Sequence, residues 1–408
     1  MKVKPFRALR PQAELAAKIA SVPYDVVDRN EAKKLAENNP FSFLHISRAE
    51  IDLPDDIDPY SEEVYKKAAE NFRRFQEDNL FIRERDEVFY LYQLIQDNHT
   101  QCGLVACCSI EDYENNIIKK HEKTRQDKED DRAHHIEATR SHSGPVFMAY
   151  RDSEVIKKLS SEILKKERPI YDFIAHDGVI HRVFRILETA PFIKAFADIP
   201  CSYIADGHHR AASAVRVAHI ERSKINATAK DSLESDFFLS VLFPASELRI
   251  LPYNRCVLDL NGFSLQEFLQ KVKEIFPLKE DSKPTPKGKG FCSMYIDGKW
   301  YSLELLKKSD FSNPVQSLDV SILQNYLLGP VLGILDPRQD KRIEFIGGIK
   351  GTKYLEDMIN SGRAKVAFSM YPITVEQMMA IADAGEIMPP KSTWFEPKLR
   401  DALFIHTF

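Results

Sequence analysis

The 408-residue sequence lacks the features that mark several common classes of protein. It has no excess of positive charge, with 57 basic against 61 acidic residues, which argues against a nucleic-acid binder that works by displacing counterions. None of its six cysteines shows CxxC spacing, and this favours reduced core thiols. No apolar stretch is long enough to span a bilayer, and the opening "MKVKPFRALRPQ" has no signal-peptide core. We therefore expect a cytoplasmic protein without nucleic-acid or membrane partners.

The common short motifs of nucleotide-binding and hydrolytic enzymes are also absent. The sequence contains no GxxxxGK[ST] phosphate loop, no GxGxxG after a strand, no HExxH and no GxSxG. The adjacent His134 and His135 would point about 100° apart on a helix, unlike the i, i+4 pair of a zinc helix, so we predict no metal site there. Any nucleotide site must be built from a different arrangement.

Local patterns predict a mixed α/β fold. Asp28 with Glu31 predicts a capping box at a helix start, and a second helix is expected over residues 61–79. We predict an extended "SVPYDVV" because of its proline, and a strand in "FSFLHI". We divide the chain into three segments: an α/β region that contributes to a site (1–150), a central core (151–260), and an α/β region that packs on the site (261–408).

The segment "YIADGHHRAASA", residues 203–214, carries the most specific chemical pattern. Asp206-Gly207 suits a tight turn from strand to helix, where glycine lets a ligand approach the backbone. His208, His209 and Arg210 then crowd the first turn of the helix, where positive charge is unfavourable unless an anion is present. Together with the free N–H groups of that turn they predict a phosphate site. The alternative is a buried Asp206–Arg210 pair with exposed histidines.

The densely charged tract over residues 116–142 offers further candidates. His121 and Glu122 follow the apolar "NII" and so are expected just past the end of a strand, where sites are often built. Glu122 is a candidate general base or metal ligand. The candidates for contact with phosphate or substrate in this tract are His121, Thr124, Arg125 and Arg132. The alternative is a solvated helix face with pairs within the helix.

Two proline-bearing loops complete the set. Tyr24 and Asp25 lie in "SVPYDVVD", and Lys391, Ser392 and Thr393 lie in "MPPKSTWFEPK". Prolines restrict a loop and lower the entropy cost of presenting its side chains. We expect substrate contacts from the first loop and phosphate contacts from the second. The alternatives are that Tyr24 packs into the core and that the second loop is a strap over the core.

Several of these motifs occur together in one family. In order along essentially the whole chain, "VPYDVV", "HEKT", "YIADGHHR" and "MPPKSTWFEPKL" resemble the bacterial and archaeal domain of unknown function 1015 family. "ADGHHR" is also similar to the box with which the ParB/sulfiredoxin-like superfamily binds nucleotide phosphates. That superfamily includes partition proteins, sulfiredoxin and free-serine kinases, and the resemblance implies a ParB/sulfiredoxin-like nucleotide-binding core. Sulfiredoxin's reactive cysteine is replaced here by histidine, and the DNA-binding domain of partition proteins has no evident counterpart.

These observations predict a nucleotide-dependent phosphotransferase that uses ATP or ADP with Mg²⁺ and acts on a small hydroxyl metabolite, with free L-serine as the most specific candidate. The predicted catalytic residues are Glu122, Asp206, His209 and His121. The predicted nucleotide contacts are Gly207, His208, Arg210, Thr124, Arg132, Lys391, Ser392 and Thr393, and the predicted substrate contacts are Tyr24 and Asp25. A non-catalytic regulator and a phosphohydrolase stay open as alternatives, as does a homodimer.

Overall fold

The computed structural model describes residues 1–225, 232–280, 282–308 and 312–408, and the chain divides into two compact units. The first unit comprises Met1–Leu248 with Pro397–Phe408, and the second comprises Arg249–Glu396. This division differs from the predicted boundaries at 150 and 260, because strands from both sides of residue 150 share one sheet. No helix in the described ranges is long and apolar enough to cross a membrane.

The first unit is built on a mixed sheet of nine strands. Its strand order is β6-β11-β8-β12-β5-β4-β10-β9, with β1 paired to β5. With strands numbered along the whole chain, the strands of this unit are β1 (Val3–Lys4), β2 (Leu9–Pro11), β3 (Phe81–Arg83), β4 (Phe89–Gln96), β5 (His99–Ser109), β6 (Ile118–Lys119), β7 (Ser141–His142), β8 (Val146–Tyr150), β9 (Tyr171–Ile174), β10 (Ile180–Ile186), β11 (Ser202–Asp206), β12 (Phe237–Pro244) and β21 (His406–Thr407). The predicted mixed α/β class is confirmed.

Some helices of the first unit pack on this sheet and bury its apolar strands. The helices of this unit are α1 (Ala16–Ile19), α2 (Arg29–Ala36), α3 (Leu44–Ser47), α4 (Glu62–Glu77), α5 (Ile110–Glu114), α6 (Gln126–Thr139), α7 (Glu154–Lys166), α8 (Ala190–Ala197) and α9 (His208–Lys224), and α7, α8 and α9 are among those that contact the sheet. The alanines of α9, including Ala211, Ala214 and Ala218, enter the main core with Phe192 and Phe196 of α8. Small side chains on this face let α9 lie close to the sheet, and this fixes the position of its N-terminus.

The second unit has its own sheet, in the order β15-β17-β16-β19-β14-β18. Its strands are β13 (Ile250–Leu251), β14 (Tyr253–Val257), β15 (Leu278–Glu280), β16 (Phe291–Ile296), β17 (Lys299–Glu304), β18 (Ile343–Gly347), β19 (Val366–Met370) and β20 (Trp394–Phe395). Its helices are α10 (Leu265–Ile275), α11 (Asp319–Leu323), α12 (Gly351–Asn360) and α13 (Val375–Asp383). Both β18 and β19 pair antiparallel to β14, so β18, α12 and β19 form a βαβ unit with one strand inserted between its strands.

Two local predictions near the N-terminus are wrong. "FSFLHI" forms α3 rather than a strand, and residues Tyr24–Val26 form a short 3₁₀ helix rather than extended chain. In both places the tertiary contacts decide: Phe43 and Ile46 belong to one buried cluster, and the ring of Tyr24 is buried. The predicted capping box of α2 is confirmed, with Asp28 and Glu31 each accepting the other's backbone N–H.

Candidate functional site

Two parallel strands bring the main candidate residues to one edge of the first unit's sheet. β6 and β11 pair in parallel, with Ser202 opposite Ile118. The chain leaves β6 through residues 120–125 into α6, and it leaves β11 through Gly207 directly into α9. The N-termini of α6 and α9 therefore follow the carboxyl ends of neighbouring parallel strands, where ligands of open α/β sheets bind.

Gly207 forms the turn between β11 and α9. Its φ is +93°, in the left-handed region that favours glycine, and α9 has no side-chain N-cap. A Cβ atom at this position would lie 2.9 Å from both Cζ and Nε of Arg210. The first-turn N–H groups of a 17-residue helix are thus left without a capping side chain, directly beside a guanidinium group.

Arg210 is buried at the centre of several carboxylates. Its Nη1 donates to the carbonyl oxygen of Pro145, and its Nη2 lies 4.0 Å from Asp25 Oδ2 and 3.9 Å from Asp206 Oδ1. Burial alone would lower the pKa of Arg210, but the negative charges of Asp25 and Asp206 raise it. The Nε–H group has no acceptor within the described ranges. Arg210 is therefore a fixed positive charge whose Nε–H group is still free to donate.

Asp206 is held in its ionised form. Lys398 Nζ donates to its Oδ2 at 2.7 Å, and Gly207 N donates to its Oδ1 at 2.8 Å. Burial would raise the pKa of Asp206, but Lys398 and then Arg210 lower it well below its usual range. A carboxylate with so low a pKa is a poor proton acceptor near neutral pH. Asp206, one of the predicted catalytic residues, is therefore better suited to hold charge than to accept a proton.

His121 and His208 are neutral, which differs from the cationic cluster expected from the sequence. Their rings meet edge to face with centroids 4.5 Å apart, and His208 Nδ1 lies 3.6 Å from Glu122 Oε2. Burial lowers the pKa of His121 to about 4 and that of His208 well below its usual value. His121 Nδ1 and His208 Nε2 have no partner in the part of the chain that the structure describes. These imidazoles offer hydrogen bonds rather than charge.

His209 joins the two helix N-termini. Its Nε2 accepts from Arg125 N at 3.0 Å, so the neutral ring carries its proton on Nδ1. Burial lowers the pKa of His209. Thr124, on the same loop, donates from Oγ1 to Glu129 Oε2 at 3.2 Å. The loop after β6 is thereby tied to α9.

Tyr24 and Arg132 form one stacked pair. The Arg132 guanidinium lies 3.9 Å from the centre of the buried Tyr24 ring, and its Nη2 lies 2.9 Å from Asp131 Oδ2. Asp25, the neighbour of Tyr24, is exposed. Burial of Tyr24 matches the packing alternative for this residue, while Asp25 remains open to solvent beside Arg210.

Asp401 is a buried residue of the site that sequence reasoning missed. With Tyr24, Arg132 and Arg210 it lines a cavity of about 40 Å³, and its Oδ1 has no partner in the described ranges. A Cβ atom on Gly144 would lie 2.8 Å from that oxygen. Burial raises the pKa of Asp401 to about 7, against the opposing effect of Arg210. Sequence reasoning missed Lys398 as well. The only signal for Lys398 and Asp401 in the sequence is the short charged segment "PKLRD" that contains both.

The raised pKa of Asp401 predicts a pH effect on stability. An unfolded aspartate ionises near pH 4, whereas Asp401 keeps its proton in the folded state up to about pH 7. Over that window the unfolded state binds fewer protons, so this group makes the free energy of unfolding fall as the pH rises. We expect Asp401→Asn to gain stability relative to the wild type between pH 4 and pH 7, by up to about 4 kcal/mol. Urea unfolding followed by circular dichroism at successive pH values measures it.

Two features make that comparison specific. Buried neutral histidines such as His121 make the free energy of unfolding rise with pH, because they bind protons in the unfolded state at a higher pH than in the folded state. These histidines are present in both proteins, so their effect cancels in the comparison. Asp198→Asn, at an exposed aspartate, is the matched control and should follow the wild type. Parallel pH profiles for Asp401→Asn and the wild type would contradict the assignment.

The predicted phosphate loop lies in the second unit. Ser392 Oγ donates to Pro389 O at 2.6 Å, and Lys391 has a φ of +54° with its ammonium 5.6 Å from the centre of the Tyr253 ring. Within the unit β20, which follows this loop, pairs with β13. Contact of Lys391, Ser392 and Thr393 with phosphate stays a prediction.

Comparisons with known proteins place the chain in a family. The model of the DUF1015 family, described as proteins of unknown function, matches residues 3–321. No curated protein matches the chain significantly.

Solved structures show only distant similarity, at a TM-score of 0.36 in each of three cases. A free serine kinase in complex with AMP is 14% identical, over 73% of this chain and 92% of that one. A conserved hypothetical protein from Pyrococcus furiosus is 14% identical, over 74% and 94%. SbnI with a C-terminal truncation, from Staphylococcus aureus, is 10% identical, over 73% and 87%.

Proposed function

The chain belongs to the DUF1015 family of proteins of unknown function, and we propose that this member is a nucleotide-dependent phosphotransferase that acts on a small hydroxyl metabolite. We further propose that the site region of the first unit is a ParB/sulfiredoxin-like nucleotide-binding core. The observation that carries the proposal is the uncapped N-terminus of α9 behind the left-handed Gly207, with Arg210 directly beside it. Backbone N–H groups, a helix dipole and a fixed guanidinium at one point make a site for phosphate oxygens.

The charges around this point suit phosphoryl transfer. Catalysis of that reaction is mainly positioning and charge stabilisation, so it needs fixed donors rather than a covalent intermediate. Arg210 and the first turn of α9 hold the phosphates. His209 connects this turn to the loop after β6 through its contact with Arg125 N. Asp206 with Lys398 keeps Arg210 in place. The neutral His208 offers a hydrogen-bond donor at no cost in added charge.

Glu122 is the proposed proton acceptor. It is exposed, and its Oε2 lies 3.6 Å from Nδ1 of the buried His208. In the proposed step the acceptor's hydroxyl oxygen forms a bond to the terminal phosphorus of ATP or ADP. The bond from that phosphorus to its bridging oxygen breaks, the shortened nucleotide leaves, and the hydroxyl proton passes to Glu122.

Mg²⁺ fits this site as part of the nucleotide complex. The described ranges contain no group of three or more His, Cys, Asp or Glu side chains placed to hold a metal ion. Magnesium sites on nucleotides need only one or two protein carboxylates, and the exposed Asp25 beside Arg210 is placed to supply one. When bound, Mg²⁺ neutralises charge on the phosphate oxygens.

The first test compares two histidines of the same helix. We expect His209→Ala to weaken nucleotide binding by about 10- to 100-fold. The reason is that the variant loses both the tie to Arg125 N and the Nδ1–H group proposed to donate to phosphate, and hydrogen bonds to charged groups contribute about 1.5–3 kcal/mol. Thermal shift with ATP, ADP, CTP, AMP and pyrophosphate, with and without Mg²⁺, measures it. His219→Ala, an exposed position on α9 that pairs with Glu114, is the matched control and should bind as the wild type does.

The same assay separates the alternatives. Equal nucleotide affinity in His209→Ala and the wild type would refute the phosphate assignment. Binding without turnover on any added alcohol would support a regulator, and loss of the terminal phosphate without an acceptor would support a phosphohydrolase in which Glu122 or His121 activates water. The predicted lack of nucleic-acid binding is checked by DNA titration at low salt, and the homodimer alternative by light scattering.

A further inference from the structure

A second pocket adjoins the site within the first unit. It has a volume of about 160 Å³, and it shares Tyr24, Arg132, Ser47 and His135 with the smaller cavity that Asp401 lines. A cavity of about 10–15 Å³ already holds one water molecule, so there is room here for on the order of ten non-hydrogen atoms. The other lining residues used below come from the segment after α3, from the residues around the start of α4 and from the first two turns of α6: Arg48, Glu50, Tyr60, Tyr65, Lys128 and Asp131.

The two carboxylates of this pocket are already occupied. Asp131 Oδ1 accepts from the Tyr65 hydroxyl at 3.1 Å, and its Oδ2 accepts from Arg132 Nε at 3.0 Å. Glu50 Oε1 lies 2.9 Å from Arg48 Nε. Each carboxylate is thus matched by one arginine, and the two pairs leave no net charge in the pocket.

Lys128 is the unmatched charge. Its ammonium donates to the Tyr60 hydroxyl at 2.6 Å, and within the described ranges no carboxylate lies in ion-pair distance of it. The other lining side chain that could carry a positive charge, His135, is neutral because burial lowers its pKa to about 4. Three cationic side chains therefore face two carboxylates, and an ammonium with donors to spare borders the pocket. Such a pocket favours a ligand with one negative charge.

Ser47 gives a second, independent sign of an absent ligand. The residue is 4% exposed, and its Oγ has no hydrogen-bond partner within the described ranges although Ser47 borders both cavities. A buried hydroxyl without a partner costs free energy, so a polar ligand atom at this point would stabilise the protein.

We infer that this pocket binds a small hydroxylated carboxylic acid, whose carboxylate pairs with Lys128 and whose polar groups reach Ser47. Its role as the acceptor subsite rests on the proposed phosphotransferase function, while binding of the acid itself does not. Tyr24 and Arg132 border both cavities, and Asp25 is the residue that follows Tyr24 in the chain. An acid held in this pocket therefore lies next to the neighbour of Asp25, whose carboxylate faces Arg210. The charge balance thus selects acids over neutral polyols and amines.

The test measures binding to the full chain without nucleotide. Thermal shift is recorded with L-lactate and D-glycerate, which carry one negative charge, and with glycerol and ethanolamine, which lack the carboxylate. We expect the two acids alone to raise the melting temperature, and Lys128→Gln to weaken their binding at least tenfold. Lys66→Gln, at an exposed lysine on α4 that pairs with Glu62, is the matched control and should bind them normally. Ser47→Ala provides a second variant, with an expected loss of about threefold or more.

A parallel series with ATP and ADP separates the two proposals. Nucleotide shifts that are unchanged in Lys128→Gln, together with lost acid binding, support both. Acid binding that depends on Lys128, without any nucleotide shift in the wild type, supports the pocket and refutes the phosphotransferase. The pocket assignment is overturned if no acid binds the wild type, if glycerol or ethanolamine binds equally well, or if Lys128→Gln binds the acids as the wild type does.

Discussion

Arg210→Met should lower the free energy of unfolding of the first unit by about 3–5 kcal/mol, the cost of removing one partner from a buried ion-pair network. The guanidinium lies within 4.0 Å of carboxylate oxygens of Asp25 and Asp206, and its charge also acts on the buried Asp401. Without it, Asp206 keeps Lys398 and the Gly207 N–H but loses a neighbouring positive charge, and the Pro145 carbonyl oxygen loses its donor. The nucleotide shift should disappear in the same variant.

Measuring this requires a probe of the correct unit. Both tryptophans, Trp300 and Trp394, lie in the second unit, so their fluorescence reports on that unit. Hydrogen exchange of β11 and β12 amides follows the first unit instead. The matched control is Arg216→Met on the same helix, where the ion pair with Asp130 is more than one-third exposed on both sides and should contribute little to stability. Equal effects of the two substitutions would contradict the network.

Gly207→Ala should weaken nucleotide binding by about 100-fold, equivalent to about 2.7 kcal/mol. The new Cβ atom would be 2.9 Å from the Arg210 guanidinium, so the arginine or the turn must move away from the N–H groups of α9. The left-handed φ of +93° adds a backbone cost of about 1–2 kcal/mol to the folded state. Calorimetric titration with ATP and ADP, together with the melting temperature, measures both effects.

The chain contains a control for the backbone cost alone. Gly178 also has a left-handed φ, of +79°, but a Cβ atom there would meet nothing within 4 Å. Gly178→Ala should therefore show the same strain and no change in nucleotide affinity. If both variants bind nucleotide equally well, the close approach of Gly207 to Arg210 has no part in binding.

Local patterns predicted those parts of the fold that local interactions stabilise. The capping box of α2 and the helix over Glu62–Glu77 depend on residues three to four apart, and the structure has both. Where long-range packing competes, local inference was wrong, as for α3 and for Tyr24–Val26. The Lys-, Pro- and Gly-bearing composition of "LKEDSKPTPKGKG" predicts a linker or exposed hairpin, but the segment begins with β15 of the second unit's sheet, and its residue 281 lies outside the described ranges.

For the site, the sequence by itself determined the strand–glycine–helix turn and the side chains that follow it, because Gly207 and the first turn of α9 are consecutive in the chain. Only the tertiary structure decided their ionisation and partners. Lys398 meets Asp206 across 192 positions, and burial makes His121 and His208 neutral. Both outcomes depend on desolvation and on charges brought together by folding, neither of which is encoded in the spacing of a short motif.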